Sequence, residues 1–461
     1  MSVRIAGGMV VTAEGVRHAD ILVEGELVLD VSASRSRAEA ALDARGCYVL
    51  PGGVDPHTHL LTDITAATRS AAFGGTTTAI SFTLPRPEES LAGAVERARD
   101  ELVPLAAVDV ALHAYVSEPD RLTPTDVNEV AALGVTGVKL FTAYRELGLQ
   151  ASDRTVYETM RAAARLGLPV LIHCENGGLI EALVRELVAA GGRDAACFAR
   201  SRPPEAEVEA VSRVLGFAGL ADARVYIVHL STGGALKHVR EARRRGVAVG
   251  AEACIHHLAL DDSTYEGADA GRYLTVPPLR SPEHVEALWN AVGDGTLDAV
   301  GSDHSQRRYQ PPPSDDFTGL PYGLAGVEAR LPLLLSLGLE RGVSIERLVH
   351  LASAGPARAF GLYPRKGTIA PGSDADLVVW DPADEWTIGR ASLHDGLETP
   401  YEGLRVHGRI RSVFLRGEPI VEDRALVADS RGRYATAPAR RPRFPSRARR
   451  SVPPRPAQRH A

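Results

Sequence analysis

Val49-Leu50-Pro51-Gly52-Gly53-Val54-Asp55-Pro56-His57-Thr58-His59-Leu60 is an apolar run that ends in polar side chains. Residues two apart on a strand point to the same side, so His57 and His59 can present both imidazoles to one ion. The same pattern returns downstream. Lys139 lies in Gly137-Val138-Lys139-Leu140-Phe141, His173 closes Pro169-Val170-Leu171-Ile172, His229 closes Val225-Tyr226-Ile227-Val228, and Asp303 follows Ala299-Val300-Gly301-Ser302. A polar residue capping each successive strand-like run is how a (β/α)8 barrel carries its chemistry.

Taken singly, each of these residues has an ordinary explanation. A histidine after a strand is more often a hydrogen-bonded core residue than a ligand, and Lys139 alone would read as a snorkelling lysine. Six matched positions at successive strand ends point instead to a metallohydrolase. In an apolar strand a free ammonium is costly, so Lys139 tends to lose its proton, and a neutral amine can react with carbon dioxide to give a carbamate. That product is an anion able to bridge two cations.

Between residues 52 and 361, strand-like runs alternate with Ala- and Arg-rich helical stretches at 91–102, 153–166 and 235–245, the rhythm of βα units. Short strands precede this region at 3–5, 9–11, 21–23 and 27–31, and follow it at 375–380 and 412–415. The expected organisation is α/β: a TIM-like barrel over 52–361, with a smaller β-sandwich built from 1–51 and 362–436. The chain has 461 residues with 44% hydrophobic content, enough for a large core. Cys47, Cys174, Cys197 and Cys254 are widely spaced and suggest neither disulfides nor a thiolate zinc site. No stretch of about 18 apolar residues occurs, and the expectation is a soluble cytoplasmic protein without membrane contact. Net charge is −6, but residues 431–461 hold ten Arg and no Asp, Glu or Lys; without them 42 basic residues face 58 acidic ones, −16. The Arg- and Pro-rich end, 437–461, reads as a disordered tail, and with no aromatic platform among its arginines nucleic acid is not an expected partner.

Asp55-Pro56-His57-Thr58-His59-Leu60, Gly74-Gly75-Thr76-Thr77-Thr78, Val138-Lys139-Leu140-Phe141-Thr142-Ala143-Tyr144, His173-Cys174-Glu175-Asn176, Val228-His229-Leu230-Ser231, Pro277-Pro278-Leu279-Arg280 and Gly301-Ser302-Asp303-His304 together resemble the cyclic amidohydrolases of the hydantoinase and dihydropyrimidinase group. The resemblance runs from about Val3 to Tyr434. It implies two divalent ions, Zn²⁺ by choice. His57, His59, Lys139 and Asp303 would hold one, and Lys139, His173 and His229 the other, with Lys139 as N6-carboxylysine. It further implies that Asp303 shuttles a proton from the attacking hydroxide to the departing ring nitrogen, and that the Tyr144 phenol points at the scissile carbonyl; a tyrosine packed under a loop is the alternative. Related enzymes use their C-terminal arm in subunit contacts, which implies a homo-oligomer, a dimer or tetramer. The substrate implied is a small cyclic amide, a hydantoin or dihydropyrimidine opened to an N-carbamoyl amino acid.

Several positions depart from the group. Dihydroorotases follow H-x-H-L with an Arg that grips the substrate carboxylate, whereas this chain has Leu61, which argues against a carboxylated ring. The segment from Leu61 to Phe73 is short, so a truncated lid is expected to leave the mouth open. Val276 and Tyr322 replace the Ser and Asn usual at positions that contact the ureide ring largely through backbone groups. Residues 252–258 and 323–335 look more like allantoinases and dihydroorotases; within the former, His256 and His257 read as structural residues rather than substrate-facing ones. Allantoinase-like or lactam and imide hydrolysis is therefore the alternative within the enzyme class, and a non-catalytic scaffold of the same fold is the alternative outside it.

Overall fold

Apolar alternation on the parallel strands sets the architecture. The computed structural model describes residues 2–32, 38, 40–267, 269–307, 317–319, 321–389, 392–429 and 431–437; the tail expected over 437–461 lies, apart from Ala437, outside them. Strands β1 (Gly53–His59), β2 (Thr76–Phe82), β3 (Asp109–Tyr115), β4 (Gly137–Phe141), β5 (Val170–His173), β6 (Val225–Ile227) and β7 (Val249–Cys254) pair in parallel and in sequence order. The eighth position is filled by two pieces, β8 (Ala299–Gly301) beside β7 and β9 (His304–Ser305) beside β1, so the sheet closes. Helices cover its outside.

Side chains along each strand alternate between two cores. Val138, Leu140, Val170, Ile172, Val225 and Ile227 face the helices, while Leu171, Tyr226, Val54 and Ile80 fill the lumen with Phe360. Lys139 sits between Val138 and Leu140 in sequence and is therefore turned inward, level with Leu171 and Tyr115 in the ladder. The helical segments begin where local chemistry supplies an acceptor. Helix Asp153–Leu166 starts after Ser152, whose Oγ accepts from Thr155 N at 3.1 Å, and stops at Gly167, whose φ of 64° is left-handed. The stretch expected as one helix over 91–102 is a short α-helix, Leu91–Arg97, that widens into a π-turn.

The chain ends meet in one continuous mixed sheet. Its order runs Ala425–Leu426, Glu418–Glu422, Arg405–Leu415, Leu377–Thr387, Tyr48–Pro51, Ser2–Thr12, Gly15–Glu24, Leu27–Ser32, with Ala40–Asp43 added alongside Ser2–Thr12. The two short strands read at 3–5 and 9–11 are one strand with a register shift between Ile5 and Gly8. One face of the sheet gathers Ile5, Ile21, Val49, Leu377 and Phe414 into its own core, and the other adds Trp380, Val413 and Leu415 to the core shared with the barrel.

A buried ionic cluster fastens the sheet to the barrel. Lys366 Nζ lies 2.6 Å from Asp109 Oδ2 on β3, and 2.9 and 2.7 Å from Asp374 and Asp376 ahead of the sheet strand. The ammonium takes the place of a cation among three carboxylates. Arg416 also pairs with Asp109 and Arg365 with Asp374, so Lys366→Met strips Asp376 of its counter-ion and leaves the other two with one cation each; the expected loss is about 3–5 kcal/mol of stability, read as a lowered midpoint in urea unfolding.

Candidate active site

The expected residues converge at the C-terminal ends of the barrel strands. His57, His59, Lys139, Tyr144, His173, His229, Val276, Asp303 and Tyr322 all line one cavity of about 530 Å³. Its floor is buried and its rim is open: the His57 side chain is 2% exposed, that of His59 40%.

Backbone conformation helps to place three of these groups. Tyr144, His229 and Asp303 adopt positive φ of 69°, 37° and 47°, the left-handed region that side chains with a Cβ seldom occupy. Such strain persists where surrounding structure overdetermines it, and it clusters at functional positions. At Asp303 the cause is visible. The amide of Asp303 donates to His57 O at 2.9 Å and that of Ser302 to Asp55 Oδ1 at 3.1 Å, which turns the chain between β8 and β9 and aims the Asp303 carboxylate inward. Asp303 Oδ1 then lies 3.1 Å from His57 Nε2 and 3.4 Å from His59 Nε2. Beneath it Arg330, fully buried, donates to Val300 O and Thr76 Oγ1 at 3.0 and 3.1 Å and lies 3.4 Å from Asp55.

A second pair of imidazoles faces the first across the lumen. His173 Nδ1 is 3.0 Å from His229 Nε2, and the two rings lie edge to face. Lys139 Nζ stands 5.1 and 4.9 Å from the ring centroids of Phe82 and Phe141. Burial lowers the lysine to about 8, although the Asp303 charge works the other way. A neutral, reactive amine is therefore accessible near neutral pH. Burial also pushes the Tyr144 phenol well above its ordinary value, so it remains a hydrogen-bond donor; its Oη is buried without a partner among the described residues.

Two carboxylates that the sequence reading passed over complete the site. Glu252, on β7, accepts from His57 Nδ1 and, at 3.0 Å, from the Tyr226 hydroxyl. Glu175 Oε2 lies 2.8 Å from His173 Nε2. Each carboxylate engages one ring nitrogen and leaves the other, His57 Nε2 or His173 Nδ1, facing the lumen. Burial works against charge on His57, yet Asp303 and Glu252 outweigh it and raise the imidazole to about 9. Glu175 lies two residues after a histidine at the end of the same strand, within the His173-Cys174-Glu175-Asn176 motif, and Glu252 opens the segment 252–258; a fully buried carboxylate needs a partner, and that was the available signal.

These donors fit divalent cations. His173 Nδ1 and His229 Nε2 face each other at 3.0 Å, His229 Nδ1 is buried and unpartnered among the described residues, and His57, His59 and Asp303 bring ligand atoms within 4.8 Å of one another. Protein hydrogen bonds alone leave this set poorly satisfied, and a cation would satisfy it.

The sequence comparison settles the lineage. The Amidohydrolase family matches residues 48–420. This chain belongs to that family. It is 38% identical over 446 residues to a D-hydantoinase from Geobacillus stearothermophilus, covering 93% of this chain and 94% of the relative, and 36% identical over 453 residues to a D-phenylhydantoinase from Escherichia coli O81, covering 94% and 98%. The crystal structure of dihydropyrimidinase from Brevibacillus agri NCHU1002 superposes with a TM-score of 0.91 at 36% identity, over 96% of this chain and 100% of that one. Amidohydrolases are metal-dependent enzymes, in keeping with the donor set.

His256 and His257 are buried beside Cys254, with His257 Nε2 3.1 Å from Pro277 O, and neither lines the cavity. Among the described residues no helix is long and apolar enough to cross a membrane. Removing the Glu252 carboxylate frees His57 to rotate. Glu252→Ala is expected to weaken metal binding by about ten- to a hundredfold, measured by competition with a chromogenic chelator.

Proposed function

We propose that this amidohydrolase opens a hydantoin or dihydropyrimidine ring to an N-carbamoyl amino acid. The observation that carries the reading is the convergence of four imidazoles, Lys139 and Asp303 on one lumen, in a chain that shares more than a third of its residues with D-hydantoinases over nearly its whole length. His57, His59, Lys139 and Asp303 would hold one divalent ion, and Lys139, His173 and His229 the other, with Lys139 carboxylated to supply an anion for both. Two such ions, Zn²⁺ being the best match to a nitrogen-rich set, would lower the pKa of water and polarise a carbonyl.

The protein's own groups do the rest. Asp303, held well below the usual carboxylate range by His57 and His59 against the effect of burial, is ionised and can take a proton from the attacking water. It then returns that proton to the ring nitrogen, because an amide anion is too basic to leave unprotonated. Tyr144 keeps its proton and donates to the carbonyl oxygen as charge develops there. Val276 and Tyr322 line the wall where the ring lies, and the Tyr322 ring runs nearly parallel to that of Tyr144 at 6.2 Å. The setting this reading implies is a cytoplasmic homo-oligomer acting on small molecules.

Turnover of a panel of hydantoins, dihydrouracil, allantoin, dihydroorotate and simple imides, with metal content measured on the same sample, tests the proposal. Hydantoin or dihydrouracil consumed with release of the N-carbamoyl amino acid is expected. Activity on imides alone would replace the substrate reading, and a metal-free protein inert to every ring, after expression with zinc and bicarbonate, would make it a scaffold. Lys139→Ala is expected to lose metal and activity together, with partial recovery in short carboxylic acids that replace the carbamate; full activity in the variant would refute the bridging role.

A further inference from the structure

The rim of the cavity carries a cation that the hydrolytic chemistry does not use. Arg307 follows β9 and lines the same cavity as the imidazoles; among the described residues it is, besides Lys139, the only Lys or Arg to do so, and Asp303 is the only acidic lining residue. Its guanidinium carbon stands 5.1 Å from the centroid of the Tyr322 ring. Stacking of this kind orients the planar fork and leaves its N–H edges free. Among the described residues Arg307 makes no ion pair and no hydrogen bond. Arg202, also near Tyr322 and stacked on Phe198, instead donates to Ser201 Oγ at 3.2 Å and lies outside the cavity lining.

The backbone ahead of Arg307 is tied down. Gln306 Nε2 donates to Asp63 O at 2.7 Å, and Gln306 Oε1 accepts from Asp63 N at 2.8 Å. That double bond fixes the start of the segment against the N-terminus of helix Ile64–Phe73. Arg307 therefore offers a charged, partly oriented fork, unpaired among the described residues, to whatever extends from the ring toward solvent. Leu61, in the same cavity, removes the cation that would hold a carboxylate on the ring itself; Arg307 sits at the rim, where an exocyclic arm would end.

We propose that Arg307, seated on Tyr322, is an anion-reading residue that directs this enzyme toward cyclic ureides whose exocyclic arm ends in a carboxylate. The inference rests on the ring-hydrolase reading above. A bidentate guanidinium–carboxylate pair is stronger than an ordinary surface pair, but solvent at the rim screens it, so a selectivity of about five- to tenfold is expected.

The test compares kcat/KM for 5-(2-carboxyethyl)hydantoin and its equally sized neutral analogue 5-(2-carbamoylethyl)hydantoin in the metal-loaded full-length protein. Wild type is expected to prefer the acid, with the acid-to-amide ratio falling about five- to tenfold in Arg307→Met and partly retained in Arg307→Lys. The wild-type ratio should also shrink as salt is added. Equal ratios in wild type and Arg307→Met, while both open the amide, would overturn the anion-reading role alone. A wild-type protein that opens neither ring would overturn the ring-hydrolase reading and this inference with it.

Discussion

The turn at Ser302 and Asp303 is the constraint on which the rest of the site depends. A barrel closed by an unbroken eighth strand would send its side chains alternately in and out, with backbone groups spent on the ladder. Here the ladder is interrupted for two residues, and their amides bond to Asp55 and to the His57 carbonyl instead. Closure of the barrel and placement of Asp303 against His57 and His59 are thus one event. The left-handed φ of Asp303 is tolerated because these bonds, and the Arg330 guanidinium that holds Asp55 from below, leave the chain no other course.

Behind the lumen, polar groups are arranged so that His57 and His173 each have one nitrogen engaged and one available. Glu252 and Glu175 do this for His57 and His173, and the Tyr226 hydroxyl fixes Glu252 in turn. Buried carboxylates are expensive unless paired, so their presence under a ring of imidazoles means that the interior is organised around positive charge. The same reasoning explains why Lys139 departs from its neighbours. Surrounded by Phe82 and Phe141, it loses the solvation that keeps an ordinary lysine protonated.

Much of this was legible in the sequence, because strand periodicity places inward residues without knowledge of the fold. His57, His59, Lys139, His173, His229 and Asp303 each terminate or interrupt an apolar run, and the structure brings all six to one cavity. Glu252 was harder to read, since its role depends on a contact across the barrel with His57, 195 residues away, whereas Glu175 has its partner His173 only two residues before it. The joining of the chain ends in one β domain was expected, but the pairing that achieves it, Tyr48–Pro51 against Leu377–Thr387, is one that local patterns do not encode. Arg307 carried no signal either: only the fold sets it on Tyr322 in the cavity that also contains Leu61.

Substrate choice is decided at the rim, while bond cleavage is set at the floor, and the two draw on different strands and loops. The floor is therefore where the account is most exposed to test. Anomalous diffraction at the zinc edge from crystals of the metal-loaded protein measures it directly. Two peaks, one beside His57, His59 and Asp303 and the other beside His173 and His229, with density for a carboxylated Lys139 between them, are predicted. A single peak, peaks away from these side chains, or an unmodified Lys139 flanked by two ions would contradict it.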